Sequence, residues 1–441
     1  MADLNAFAYV APTLRQQWGL SVDAVALISA SAFLGMSFGA VVGGVLADRF
    51  GRKRLLIWGT VFYSVLSILS AASNGAMQLA AYRFFIGAGL YAVTVAALTY
   101  VAEMFPRNHR GKVQSLLLAV ALLGIPLMSL LSRWVVPMGD NGWRWVFVAG
   151  GSGLIVAAVA SRLLPESVRW LEQHPGVSLD DQSAAVVDDV ERQSVNITGI
   201  DLPVPVNAPA VPTGTTRDLV RGGYLKRAVV MSLTLAFATS AFYGYNSWMP
   251  ILLTEHGFST GSSLTYTSIL AIAACPGALL AFLFIERVER RTAIMVIYLL
   301  TAVLLVVFGT TDSNLIFVVS GVLISLLLYC NTAVMYTYMP EIFPTQLRAL
   351  GTGIPSSVGR LATVVCMFAV AAILGRMGFT SVFVFLAAAS GLAALAIGVF
   401  GERTKGRTLE DISTVNGASA SPATQVHSVP TQVRSVPTQE A

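Results

Sequence analysis

Long apolar runs broken at short polar intervals set the pattern of this chain. A helix that crosses a bilayer needs about 20 mostly apolar residues, because each adds about 1.5 Å and the hydrocarbon core is about 30 Å thick. Such runs stand at roughly 22–47, 55–73, 77–102, 113–135, 143–164, 225–252, 263–285, 292–310, 314–339, 349–375 and 378–400. An apolar stub at 1–14 precedes them; at about 21 Å it is too short to span. The pattern predicts an all-α membrane protein of about twelve helices, with the stub as helix 1. The one long polar insert, 165–223, is rich in Asp, Ser, Val and Pro, has no helical or strand period, and predicts a flexible linker. Residues 413–441 are polar and carry a small repeat, SVPTQV at 428–433 and SVPTQ at 435–439, a composition that cannot bury a core.

Composition sharpens this. The chain is 55% hydrophobic and 12% charged, with mean hydropathy +0.70. A soluble domain carries about 25% charged residues. The net charge of +5 forms no basic stripe, so no nucleic-acid partner is expected. Cys275, Cys330 and Cys366 sit inside apolar runs at no metal or redox spacing, and predict small buried residues. All four histidines fall in loops or the tail, which argues against a buried histidine proton relay. No cleavable signal peptide, metal cluster, phosphate loop or nucleophile–base pair is recognisable, so neither an enzyme nor a cofactor is expected.

Lys and Arg set the orientation. They gather in the breaks near 48–54, 107–112, 162–227, 287–291, 348 and 403–434, whereas the alternate breaks hold only Arg15, Arg133, Arg144 and Arg376. The first set, and with it the C-terminus, is expected in the cytoplasm.

An internal repeat divides the chain. TYVAEMFPRNHR at 99–110 pairs with TYMPEIFPTQLR at 337–348, and DRFGRK at 48–53 with ERVERR at 286–291. Pro12 and Pro250, Gly19 and Gly257, and Ser21 and Ser259 stand at the same separation of 238 residues. Three motif pairs in one register predict an N-terminal half at 1–164, the linker at 165–223, a C-terminal half at 224–402 and a tail at 403–441. The register also places the start of helix 1 about 14 residues before Met1. Helix 1 is therefore expected to be truncated, with an apolar extension upstream; a genuinely short helix 1 is the alternative.

The even-numbered helices each end on an acid: Asp48, Glu103, Glu166, Glu286, Glu341 and Glu402. A helix C-terminus carries partial negative charge, so an acid there needs a partner. Arg49, Arg52, Arg110, Arg169, Arg287, Arg290, Arg348, Arg403 and Arg407 lie close by in sequence. The arrangement predicts a cytoplasmic ion-pair network between the halves, acting as a gate. Local surface pairing of little energetic worth is the alternative.

GGVLADRFGRKR at 43–54 resembles the loop 2–3 signature of the major facilitator superfamily, and PESVRWL at 165–171 and ERTKGRTLE at 402–410 look like sugar-porter signatures. AFYGYNSWMPILLTEHGFS at 241–259 and YMPEIFPTQLRALGTG at 338–353 are similar to the metabolite:proton symporters, relatives of organic-ion transporters and synaptic vesicle proteins. The resemblance covers about residues 3–412. It implies two six-helix halves rocking about a central site, in a multi-pass plasma-membrane protein whose partners are a small-molecule substrate, protons and the bilayer. A monomer is expected.

An ionisable residue inside a membrane helix marks a candidate function. Asp3, Arg83 and Arg360 qualify. In proton-coupled relatives an acid placed like Asp3 pairs with an arginine placed like Arg83. A cation lowers a carboxylate pKa and burial raises it, so an acid that gains and loses its arginine binds and releases a proton. A purely structural pair is the alternative. Organic-anion transporters similar to this family hold the anion with an arginine placed like Arg360, and a guanidinium clamps a carboxylate with two hydrogen bonds. Tyr91, Val93 and Leu118 stand where relatives often carry Gly, Glu and Glu, which leaves two cations and one anion in the cavity. Tyr243, Tyr245, Asn246, Tyr329 and Asn331 are candidates to line it, or simply to pack. The expected function is proton-coupled symport of a small organic carboxylate, possibly aromatic. A sugar or polyol carrier, an efflux carrier and a non-transporting membrane sensor are the alternatives.

Overall fold

The structure is a computed structural model, and its described residues are 2–105, 107–167, 170, 192, 218–219, 224–284, 287–344 and 347–403. They form α1 (Ala2–Trp18), α2 (Val22–Phe50), α3 (Arg52–Ser70), α4 (Ala76–Met104) and α5 (Arg107–Val135). α6 comes in two pieces, Gly142–Gly150 and Gly153–Leu163. The second half holds α7 (Leu225–Glu255), α8 in two pieces (Thr260–Ile272 and Ala274–Phe284), α9 (Arg290–Thr310) and α10 (Asn314–Glu341). α11 and α12 share one run, Arg348–Phe400, divided at Gly378 with φ 80°. Among the described residues nine helices are long and apolar enough to cross a membrane, one of them the divided run. The predicted linker and tail lie mostly outside the described residues.

Local chemistry explains the breaks. Gly150, Gly151 and Gly153 are poor helix formers, and α6 opens there. Pro276 has no N–H for the Ile272 carbonyl, and α8 divides between them. Gly19 (φ 59°) and Gly257 (φ 99°) turn the chain out of α1 and α7 through left-handed backbone that favours glycine. The next residues but one cap the helices that follow: Ser21 Oγ accepts from the Ala24 N–H at 3.1 Å, and Ser259 Oγ from the Ser262 N–H at 3.2 Å.

Small residues then set the packing. In lipid, helices associate through close backbone approach rather than through hydrophobic burial. On α2, Gly35, Gly39 and Gly43 press against α4: a Cβ at Gly39 would stand 2.1 Å from the Ala88 carbonyl oxygen. α8 and α10 repeat the contact, where a Cβ at Gly277 would stand 2.6 Å from the Leu326 carbonyl oxygen. Both members are shifted by the 238 residues of the sequence repeat. α1 has 17 residues against 31 in its repeat partner α7. The halves meet along α1 with α7, α5 with α8, and α2 with the α11–α12 run. One core joins them, with Phe7 and Phe33 from the first half and Trp248, Leu305 and Phe383 from the second. Outward-facing Val41, Trp58, Leu127, Ile155, Leu283 and Val365 are left exposed, as lipid-facing side chains are.

Candidate substrate and coupling site

Asp3 and Arg83 come together inside the first half, at 4% and 2% exposure. The contact is loose: Arg83 Nη1 stands 3.9 Å from Asp3 Oδ2. The guanidinium instead donates to backbone, from Nη1 to the Asp3 carbonyl at 2.8 Å and from Nη2 to the Leu4 carbonyl at 2.6 Å. Asp3 Oδ1 accepts from the Ser67 hydroxyl at 2.6 Å, while Oδ2 has no hydrogen-bond partner. Gly150 of α6 closes the pocket: a Cβ there would meet Ser67 Oγ at 2.3 Å and Asp3 Oδ1 at 2.5 Å.

Arg360 projects from α11 across the boundary between the halves. Its guanidinium carbon lies 3.8 Å from the centroid of the Tyr91 ring of α4, and Nη2 donates to the Tyr91 hydroxyl. Among the described residues no carboxylate lies within ion-pair distance of it. Tyr243 packs on Phe33 of α2 with ring centroids 4.6 Å apart, and so also faces the other half. Tyr245, Asn246 and Met249 line a narrow cleft with Asn5 and Tyr9 of α1, with room for about one water. Tyr329 reaches its edge, with its hydroxyl 3.5 Å from Asn246 Oδ1. The Tyr245 hydroxyl donates to the Gly321 carbonyl at 2.9 Å, which fixes α7 to α10.

Asn331 is a correction. It is fully buried and turned to α9, with Nδ2 3.5 Å from the Ile294 carbonyl, and does not line the cleft. The reason is geometric: two residues along a helix turn about 200°, so Tyr329 and Asn331 face opposite ways.

The charge clusters at the basic end of the bundle need a second correction. Arg52 pairs with Glu103 at 2.9 Å and Asp48 at 3.0 Å, and Arg290 with Glu341 at 3.1 Å. Arg227, absent from the expected set, approaches Glu402 at 3.5 Å. Glu166 accepts from the Lys53 and Ser167 backbone N–H groups, each at 2.9 Å. Arg348 donates to the Pro340 carbonyl at 3.1 Å. Arg49 is exposed, 5.4 Å from the Phe50 ring centroid, and Arg287 is exposed. Glu286, Arg169, Arg407 and the Arg110 side chain lie outside the described residues.

Each of these pairs joins elements of one half, not two halves. Gly51 alone separates α2 from α3, so Arg52 opens α3 beside the ends of α2 and α4 and meets the nearest acids first. The register of 238 carries Arg52–Glu103 onto Arg290–Glu341. It also carries the Tyr100 hydroxyl, which donates to the Pro165 carbonyl at 3.0 Å, onto Tyr338, which donates to the Glu402 carbonyl at 2.8 Å. The described ion pair that does join the halves, Arg15 with Glu255, lies at the opposite end. The Ser129 and Ser268 hydroxyls, 2.9 Å apart, join α5 to α8.

Residues 2–415 match the model of the sugar (and other) transporter family. The chain belongs to this family, within the major facilitator superfamily. The transporter is 32% identical over 415 residues to the putative metabolite transport protein YyaJ of Bacillus subtilis (strain 168), covering 93% of this chain and 90% of the relative. It is 31% identical over 411 residues to the niacin transporter NiaP of Acinetobacter baylyi, covering 93% and 92%. The inward open structure of the xylose transporter XylE from E. coli shares its fold, with TM-score 0.74 at 18% identity over 94% of this chain and 98% of that one.

Sequence reasoning missed Tyr91, Ser67 and Asn5 as members of the candidate site. Tyr91 was findable, because the repeat register places it opposite Tyr329. Ser67 carried a weaker signal: Ser64, Ser67 and Ser70 recur at three-residue spacing and are all fully buried. Nothing in its neighbourhood marked Asn5.

Proposed function

We propose that the chain is a proton-coupled symporter of a small aromatic carboxylate, working by alternating access with its basic end in the cytoplasm. The observation that carries this reading is Arg360. A half-buried cation without a carboxylate partner is costly, and an anionic substrate offsets that cost. Its donor edge fits a carboxylate, and the Tyr91 ring stacked on the guanidinium holds it in one orientation. Aromatic side chains nearby suit a flat ring. The relative named for niacin, a pyridine carboxylate, agrees in substrate chemistry.

Coupling falls to Asp3 and Arg83. Their loose contact, at 3.9 Å, leaves the Asp3 carboxylate able to take a proton. The Arg15–Glu255 pair closes the outer end here, and rocking of the halves would open it.

The test is uptake into liposomes under an inward proton gradient, with aromatic carboxylates, aliphatic carboxylates, sugars and organic cations, reading internal pH. Acidification with an aromatic carboxylate, reduced about 100-fold or more in Arg360→Ala, supports the reading; a lost charged hydrogen-bond pair is worth about that factor. Acidification with sugars, or uptake without proton movement, overturns it. For the coupling pair, Asp3→Asn should still exchange labelled for unlabelled substrate but no longer concentrate it. Accumulation by Asp3→Asn would remove Asp3 as the coupler.

A further inference from the structure

Ser67 holds one hydroxyl hydrogen between two acceptors. Asp3 Oδ1 lies 2.6 Å away and the Phe147 carbonyl of α6 2.9 Å away. One hydrogen cannot serve both. The Phe147 carbonyl is also a special one. In a continuous α-helix it would accept from the Gly151 N–H. Here Gly151 N–H turns to the Val148 carbonyl at 2.9 Å, and Ser152 N–H to the Ala149 carbonyl at 3.0 Å, with the Leu154 and Ile155 N–H groups likewise bonded three residues back at 3.0 Å, so α6 tightens here and the Phe147 carbonyl is left without the Gly151 N–H. The carboxylate and the break in α6 thus compete for one hydrogen in a site without exposed side chains.

From this geometry we infer that Ser67 is a positioning residue that transmits the protonation state of Asp3 to the backbone of α6. With Asp3 charged, Ser67 donates to Oδ1, the Phe147 carbonyl loses that donor, and its remaining recourse is the Gly151 N–H, which restores a regular i→i+4 turn. With a proton added at Oδ1, Asp3 donates to Ser67 Oγ and Ser67 turns its own hydrogen to Phe147. The carbonyl is then satisfied while the turn stays tightened. One proton is bound and none is passed on; Ser67 keeps its hydrogen throughout.

The surroundings suit the device. The charged and titratable groups facing Asp3 among the described residues are Arg83 from α4 and Tyr63 from α3. From α6 the pocket receives glycine and backbone. Gly150 leaves room for the contact, and a Cβ at Gly153 would meet Ser64 Oγ at 2.3 Å, so α6 lies against the α3 hydroxyls on both sides of its break.

The inference rests on Asp3 as the proton site, yet its test needs neither substrate nor transport. Asp3→Asn mimics the protonated acid, because Arg83 attracts the amide oxygen and turns Nδ2–H towards Ser67. Backbone hydrogen exchange is read at residues 151–155 of the full chain in lipid nanodiscs, at a pH where Asp3 is charged. Exchange there should be faster in Asp3→Asn than in wild type, by up to about fivefold, because i→i+3 bonds have poorer geometry than the i→i+4 bonds they replace and the difference is at most about one hydrogen bond's worth. In a Ser67→Ala background the two should coincide. Equal exchange in wild type and Asp3→Asn overturns the inference, and so does a difference that survives Ser67→Ala. If Ser67→Ala does not fold, Ser67→Cys, a far weaker donor, takes its place with the same expected outcomes. Should Asp3→Asn still accumulate substrate while this exchange difference holds, the coupling assignment fails and the relay stands.

Discussion

At the scale of single residues, the proposed anion site rests on the pairing of Arg360 with Tyr91. The ring holds the guanidinium in place before anything binds, and preorganised groups lose less freedom on binding. A cation on an aromatic face is worth about 0.5–2 kcal/mol. Tyr91→Ala should therefore weaken substrate binding roughly 3- to 30-fold, whereas Tyr91→Phe, which keeps the ring, should stay near wild type; binding titration of the purified protein checks both. Half of this site was legible in the sequence. An arginine inside an apolar run advertises itself, because burying a charge is expensive. Its partner did not, because a tyrosine in a membrane helix is ordinary. Asn331 shows the converse error: its polarity was visible, but helical angle, not polarity, decides which way it faces.

At the scale of helices, close approach governs. A side chain at Gly39 would run into the α4 backbone, whereas Gly44, five residues on, has nothing within 4 Å of its Cβ position. Gly39→Leu should lower stability by about 1–3 kcal/mol or prevent folding, and Gly44→Leu should leave it unchanged; thermal unfolding in detergent separates them. The helices were legible because bilayer thickness dictates the length of an apolar run, and the observed ends fall within a few residues of the hydropathy breaks. The interruption of α8 was not, because hydropathy does not register a missing N–H at Pro276. The partners of the basic-end charges were equally hidden. Each acid has arginines near it in sequence, and only the one-residue joint at Gly51 shows which of them arrives first.

At the scale of the molecule, the ion pairs among the described residues at the basic end stay within each half, and the pair joining the halves lies at the other end. The Arg15 and Glu255 side chains are 28% and 38% exposed, so their pair is worth at most about 1 kcal/mol. Arg15→Ala should raise the fraction open at that end by up to about fivefold. Cysteine labelling at that end, in low and high salt, checks it, and in wild type salt should act in the same direction. Under the proposed rocking of the halves, the Arg15–Glu255 pair would be the charged part of a contact otherwise held by the shared apolar core.

That self-sufficiency has a genetic consequence. Arg52 finds Glu103, and Arg290 finds Glu341, without crossing from one half to the other. Two messages, one ending and the next beginning between residues 171 and 217, would each encode a body that completes its own ion pairs at the basic end. Expressed together in one cell, they should find each other in the membrane and restore uptake; expressed singly, neither should.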